Sequence, residues 1–433
     1  MSITKNKSKS YICKKLFGYW RVRIMYSIMI GYSSFYLLKQ NFSLAIPSMI
    51  KDLHYTKTEL GSIVTVGAIL YGILKCFFGL ISDKKSARYV MSIGLLCSAL
   101  MNICMGFSSL IPIFTIFWTL NYCFQAMGMP PCAKLLRHWF SPTEIGTRWS
   151  FWSWSHEIGR SIIALISSPI LIYFGWRYMF FFPAAVAIVL SVFLFNRLRD
   201  TPESMGLPSI EEMAEIVVTK EKKFENKEKK LSYSEILKMV FSNKSVWIIC
   251  IANFFLYFGK MTFLTWGATF LIESKSVSLI TASFCMAAFD IAGMLGAISA
   301  GYISDKVFKG RRGPVSTVCM TIFTGLVALL LLAPNSYWVC AFCMMGSGFI
   351  LSGPQVLIGI AATDFVSKKA AGTANGFTGT LGYIGTAVAG VGTGALVDHY
   401  GWNSVFLAII IASFISAILL SLTWNKKAEV LIK

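Results

Sequence analysis

Apolar runs long enough to cross a bilayer recur along the 433-residue chain, separated by short charged or Pro/Gly-containing breaks. A spanning helix needs about 20 mostly apolar residues at about 1.5 Å each. Twelve stretches meet that length, near 24–46, 60–81, 89–107, 110–130, 149–174, 178–195, 246–271, 278–303, 315–334, 337–361, 371–396 and 403–424. An even number places both termini on one side. The first stretch follows about 20 polar residues and lacks a clear small-residue cleavage site, so a signal peptide is the weaker alternative. The pattern predicts an all-α membrane protein.

One long polar interruption, residues 196–245, divides the pattern. It runs from RLRDTPESMGLPSIEE into KEKKFENKEKK and is too poor in apolar residues to build a core, so it reads as a cytoplasmic linker. The chain echoes itself on either side. GLISDK (Gly79 to Lys84) closes the second stretch and GYISDK (Gly301 to Lys306) the eighth, 222 residues later; Lys39 and Lys260 lie in the first and seventh, 221 apart. Two unrelated features at nearly one offset indicate duplication, and parallel six-helix repeats are the layout of the major facilitator superfamily. The expected organisation is a tail at 1–23, a six-helix bundle at 24–195, the linker at 196–245, a pseudo-symmetric bundle at 246–424 and a tail at 425–433. In the repeated motif, Gly79 or Gly301 permits close helix approach, while Asp83 or Asp305 can meet helix termini or cations at a gate; a polar turn with ordinary flanking charge is the alternative.

Composition sharpens this picture. With 55% apolar and 14% charged residues and a mean hydropathy of +0.64, the chain is no ordinary soluble enzyme, disordered segment, collagen-like fibre or disulfide-stapled module. Its net charge of +20 would suggest nucleic acid in a soluble protein, but the placement of the cations argues otherwise. Of the 40 Lys and Arg, 32 fall in the tails and in the breaks on their side, 4 on the opposite side and 4 inside the stretches. By the positive-inside rule both tails are expected in the cytoplasm, in the inner membrane, and the excess charge is a topology signal rather than a nucleic-acid surface. Most of the eleven Cys sit singly in apolar stretches and read as small hydrophobes; Cys340 and Cys343 have CxxC spacing, but within VCAFCMM on a membrane helix. No metal site or cofactor is expected.

A cation at mid-bilayer costs about 2.5–3.5 kcal/mol on insertion scales, so the internal charges call for compensation. Lys39 and Lys260 are near mid-depth at matching positions of the two halves. If the halves pack face to face around a cavity, the two ammonium groups converge and select an anion. Lys75 is shallower, about 12 Å by helical rise from Asp83, and could snorkel instead. In SWSHEIGRS, Glu157 and Arg160 are i,i+3 neighbours that could simply neutralise each other. His156 could donate to a phosphate or be a packed, hydrogen-bonded side chain. Asp290, in the eighth stretch, could pair with Lys260 or Arg160 when the site is empty. Four cations and two acids leave +2, which a divalent phosphate would balance. Tyr32, Tyr36, Tyr71, Tyr257 and Tyr383 could supply hydroxyls, and Tyr36–Lys39 and Tyr257–Lys260 each share a helical face.

GYSSFYLLKQNFSLAIPSMI, YGILKCFFGLISDK, QAMGMPPCAKLLRHWF, DTPESMGLPSIEE, SDKVFKGRRGP and GPQVLIGIAATDFVSKKAAGTANGFTG carry a resemblance from about Gly18 to Trp424. The chain resembles the organophosphate/phosphate antiporters of the major facilitator superfamily, the branch of glycerol-3-phosphate and hexose-phosphate transporters. The resemblance implies phosphate held by Lys39 and Lys260, where the family usually carries Arg. It also places a family histidine on His156, a second-helix lysine on Lys75, site tyrosines on Tyr32, Tyr36, Tyr71, Tyr257 and Tyr383, and an acidic position on Asp290. Glu157 and Arg160 replace smaller or uncharged family residues. The eleventh stretch, LGYIGTAVAG, lacks the Asp and Lys pair of the dedicated hexose-phosphate carrier, and GPQVLIGIAATDF resembles the related hexose-phosphate sensor. The expectation is a monomeric carrier exchanging an organic phosphate for inorganic phosphate, with a sugar-phosphate sensor, and its signalling partner, as the alternative. Unpaired cations in the empty site would disfavour return without cargo and so make exchange obligatory. No stretch displays a metal triad or a nucleophile with its base, so an enzyme is not expected.

Overall fold

The computed structural model describes residues 2–141, 144–210, 233–332, 336–366 and 370–426, without the side chains of 2–12, 14, 75, 76, 79, 80, 83, 84, 146, 233, 234, 236, 371 and 372. Lys75, Gly79 and Asp83 therefore lie outside the described side chains, and 211–232 of the linker outside the described residues. The first half comprises α1 (Ser2–Leu53), α2 (Lys57–Lys84), α3 (Ala87–Phe107), α4 (Ile111–Gln125), α5 (Met129–Trp139), α6 (Ile145–Tyr173) and α7 (Tyr178–Arg197). The second comprises α8 (Tyr233–Phe241), α9 (Lys244–Glu273), α10 (Leu279–Lys306), α11 (Arg312–Leu332), α12 (Tyr337–Asp364), α13 (Ala371–Tyr400) and α14 (Trp402–Ser421).

Local chemistry sets several of these boundaries. Thr56 and Glu59 form a reciprocal capping box at the start of α2, and the Asn243 and Ser278 side chains cap α9 and α10. Gly401, at φ +75°, turns the chain between α13 and α14, a conformation only glycine adopts without strain. The expected fourth span, 110–130, divides instead: α4 stops at Gln125 and α5 starts afresh at Met129. Pro130 and Pro131 donate no N–H, which the first turn of a helix tolerates and its interior does not.

By length and composition, nine helices among the described residues can cross a membrane: α2, α3, α7 and α9 to α14. The other three expected spans fall on α1, on α4 with α5, and on α6. Helix α4 alone has 15 residues, and α6 carries Glu157 and Arg160 in its middle. The outward faces are apolar, with Ile73, Phe77, Val189, Val192, Leu295, Phe342 and Phe414 all more than half exposed, as a lipid-facing surface requires.

Packing repeats with the sequence. Helix α1 lies against α6 and α7 as α9 lies against α13 and α14; α3 meets α7 as α11 meets α14; α2 meets α4 as α10 meets α12. Counted by expected span, each contact recurs six spans later. The halves touch through α2 with α13, α6 with α10, and α1 with α9. A buried amide network in the first half fixes the part of α1 that carries Lys39. Asn121 donates to the Leu38 carbonyl at 3.2 Å, Gln125 to that of Phe35 at 2.9 Å, and Asn41 to Asn102 at 2.8 Å. These bonds tie α1 to α3 and α4 where an apolar contact would let it rotate.

Candidate functional site

A cavity of about 120 Å³ lies between the halves. One wall is built by Tyr36, Lys39, Gln40 and Ser43 of α1, Trp118 and Tyr122 of α4, and His156 and Arg160 of α6; the other by Tyr257, Lys260, Met261 and Thr265 of α9, Gln355 of α12, and Tyr383 and Thr386 of α13. The two lysines of the repeat thus face one space from opposite halves. Helical geometry is the reason: Tyr36 and Lys39, like Tyr257 and Lys260, are three residues apart on one face, and both helices turn that face inward.

The ammonium groups meet different surroundings. Lys39 Nζ lies over three rings, 4.7 Å from the centroid of Tyr71, 5.0 Å from Tyr122 and 5.6 Å from Tyr36. Lys260, 1% exposed, donates to Gln355 Oε1 at 2.5 Å and Ser352 Oγ at 3.3 Å, and its Nζ is 3.8 Å from Glu157 Oε1. Gln355 in turn donates to the Tyr257 hydroxyl at 3.2 Å, which fixes the amide so that its oxygen faces Lys260. Glu157 also contacts His156 at 3.3 Å and bonds Arg160, whose Nε donates to Asp290 Oδ1 at 2.7 Å. Asp290 and Glu157 are buried behind the cavity wall. Both readings of these acids are therefore realised together: Glu157 pairs with Arg160, and Asp290 pairs across the halves with the same guanidinium. Lys260 and Arg160 are therefore not bare cations, as the sequence leads one to expect, because the carboxylates that lipid would not tolerate alone fold onto them.

Of the residues singled out in the sequence, Lys39, Lys260, Tyr36, Tyr257, Tyr383, His156 and Arg160 line the cavity. Tyr71 sits behind, its ring 5.3 Å from that of Tyr383. Tyr32 does not line it; its ring packs on Trp152 at 4.7 Å and on Tyr36 at 5.4 Å, supporting Tyr36 from the rear. The sequence reading passed over Gln355, Gln40, Trp118 and Tyr122. A glutamine beside Pro354 in an otherwise apolar stretch, and another beside Lys39, were the available signals.

Inter-half contacts close one end of the cavity, the end opposite the chain termini. Gln40 Nε2 donates to the Leu264 carbonyl at 2.6 Å and Thr65 Oγ1 to that of Ala387 at 2.5 Å. Asp398 at the end of α13 accepts from Thr58 N at 2.7 Å, capping α2 from the other half, and Lys57 Nζ lies 3.1 Å from Glu273. A Cβ on Gly61 would collide with the Gly390 carbonyl, so α2 and α13 touch backbone to backbone there. At the terminal end, Asp305 pairs with Arg312, which lies 3.5 Å from Asp364, all within the second half. Gly301 has open space where a side chain would stand, so its expected close helix approach is not made in this conformation.

Comparison with known proteins fits this architecture. The family model described as Major Facilitator Superfamily matches residues 28–390 and 318–430. A "Probable hexose phosphate transport protein" of Chlamydia trachomatis is 41% identical, over 99% of this chain and 96% of its own. A glycerol-3-phosphate transporter of Bacillus subtilis is 39% identical over 94% of each, and the membrane sensor protein UhpC of Escherichia coli 35% identical over 93% of this chain and 92% of its own. Among solved structures, a bacterial homologue of the lysosomal transporter Spinster superposes with a TM-score of 0.74 at 13% identity, over 94% of this chain and 95% of that one, a likeness of fold.

Proposed function

We propose, as this multi-pass membrane chain belongs to the major facilitator superfamily and within it to the organophosphate/phosphate antiporter family, that it exchanges a small organic phosphate for inorganic phosphate by alternating access. The cargo we favour is a sugar phosphate such as a hexose phosphate, with glycerol 3-phosphate as the other candidate; both follow from what the relatives are named for. The observation that carries this reading is that Lys39 and Lys260, one from each half, face a single cavity. A phosphate dianion bridging them would draw the halves together and so bind best to an intermediate of the transport motion. His156 and Arg160 would add donors beside it, and the tyrosine and glutamine side chains would orient the organic group. Lysine in place of arginine supplies a point charge without a planar fork, so phosphate oxygens are gripped by charge more than by bidentate geometry.

In this reading both tails are cytoplasmic, the membrane is the inner one, and the carrier is a monomer. The contacts of Asp398, Lys57 and Gly61 would then form the outer closure. The test is uptake of labelled sugar phosphate into phosphate-loaded liposomes. Lys39→Ala is expected to lower exchange at least about tenfold, and equal uptake by the variant and the parent would remove Lys39 from the mechanism. A second reading, a sugar-phosphate sensor, is favoured by the likeness to UhpC over 93% of the chain; purified protein that binds ligand and never exchanges it would establish that reading instead.

A further inference from the structure

At the terminal end of the first half, where α1, α3 and α7 pack together, four arginines gather: Arg23, Arg88, and Arg197 with Arg199 where α7 ends. Arg23 Nη2 donates to the Asn196 carbonyl at 3.1 Å and its Nε to that of Arg197 at 3.3 Å; Arg199 donates to the same Asn196 carbonyl at 2.9 Å. The Arg23 and Arg199 guanidiniums lie 4.5 and 5.9 Å from the Trp20 ring centroid, and that of Arg88 lies 4.0 Å from the Phe195 ring. Partial burial, and then the charges of Arg88 and Arg23, push the Arg199 guanidinium below its usual pKa, so these cations stand close enough to repel.

Elsewhere at this end of the molecule cations are matched. Arg21 and Arg148 pair with Glu144, and Arg312, in the first turn of α11 as Arg88 is in that of α3, pairs with Asp305 and Asp364. Among the described residues none of the four gathered arginines makes an ion pair. Asp200, beside them, turns its Oδ1 to the Ser86 hydroxyl at 2.9 Å and the Arg88 backbone N–H at 3.3 Å. The Nε of Arg88 is buried and has no hydrogen-bond partner among the described residues. A topology signal requires only that cations lie on one side of the membrane; it does not require three helices to hold them against one another. The flank of the cluster is aromatic and apolar. Tyr89 packs on Phe195 at 5.4 Å and Tyr26 on Phe193 at 6.4 Å, along the seams that α7 makes with α3 and α1. One turn deeper, exposed Ile93 and Val192 continue that face.

We propose that the four arginines bind the phosphate of an anionic phospholipid, in the leaflet on the side of the chain termini, with its acyl chains along Ile93 and Val192. A guanidinium fork matches two phosphate oxygens, and basic pockets between spanning helices at a membrane surface suit such headgroups. A soluble anion would meet the same charge without the apolar contact. The headgroup joins α1 to α3 and α7 within the first half, and none of the four arginines lines the cavity that holds Lys39.

The experiment takes the full chain in detergent micelles and measures binding of radiolabelled phosphatidylglycerol and phosphatidylcholine by scintillation proximity. Phosphatidylglycerol is expected to bind at least about tenfold more tightly. Arg88→Gln with Arg199→Gln is expected to reduce that preference to within about threefold, whereas Lys306→Gln with Lys426→Gln, which removes two exposed charges at the same end, is expected to leave it unchanged. Inorganic phosphate, matched in ionic strength with chloride, is expected not to displace the lipid. Equal binding of the two lipids by the parent would overturn the proposal without reference to any variant. An equal loss in the two double variants would overturn it too, since the preference would then follow overall charge. Displacement by inorganic phosphate would also overturn it and assign the cluster to a soluble phosphate. Thermal unfolding in phosphatidylcholine checks that each variant is folded; should the arginine double variant fail, Arg199→Gln alone, beyond the end of α7, carries the comparison.

Discussion

Lys39 and Lys260 occupy equivalent places in a duplicated chain, yet their environments have diverged. The first lies among the faces of Tyr71, Tyr122 and Tyr36; the second is held by Gln355 and Ser352, with Glu157 nearby. Aromatic faces attract a cation diffusely, by about 0.5–2 kcal/mol, and fix no direction. Hydrogen bonds to an ammonium fix its direction and are costly to leave unmade. Duplication thus kept the charge and its place in the repeat, while each half acquired its own way of tolerating it.

Removal of either cation tests this contrast most strongly. Lys260→Ala is expected to cost exchange about a hundredfold, more than Lys39→Ala, because it takes the donor from buried Gln355 Oε1 and one of the cations beside Glu157; a larger loss for Lys39→Ala in the same liposome assay would reverse the ranking. Arginine substitutions separate the two environments more finely. A guanidinium stacks on rings, so Lys39→Arg is expected to stay within about threefold of the parent, whereas Lys260→Arg must displace well-fitted partners and is expected to fall about tenfold. Equal effects would show that the rings and the polar cluster hold their lysines alike. The smallest effect is expected from Tyr122→Leu, which removes one of three faces under Lys39 and should weaken phosphate binding about threefold by calorimetry, leaving the Lys260 side untouched.

Much of the architecture was legible along the chain because hydropathy and helical period are local properties. The spans and the duplication followed from them, and the contacts that recur six spans later carry the repeat into the packing. The fourth span ends a little short of its rough limit for a local reason too: Pro130 and Pro131 stand in the first turn of α5. In the site, shared helical faces brought Tyr36 with Lys39 and Tyr257 with Lys260 to the cavity, but the same reasoning could not say that Tyr32, four residues before Tyr36, turns onto Trp152.

The amino-acid sequence by itself determined that the chain enters a membrane, that it is built twice, and that paired lysines stand at matching positions of the two halves. Those facts depend on which residues are neighbours along a helix. Only the tertiary structure decided the partners of each charge: Asp290 lies 130 residues from Arg160, and Gln355 lies 95 from Lys260. Such pairings are set by how helices from two halves rotate and seat against one another. That choice is made by the summed packing of the whole bundle, and no single stretch of sequence encodes it.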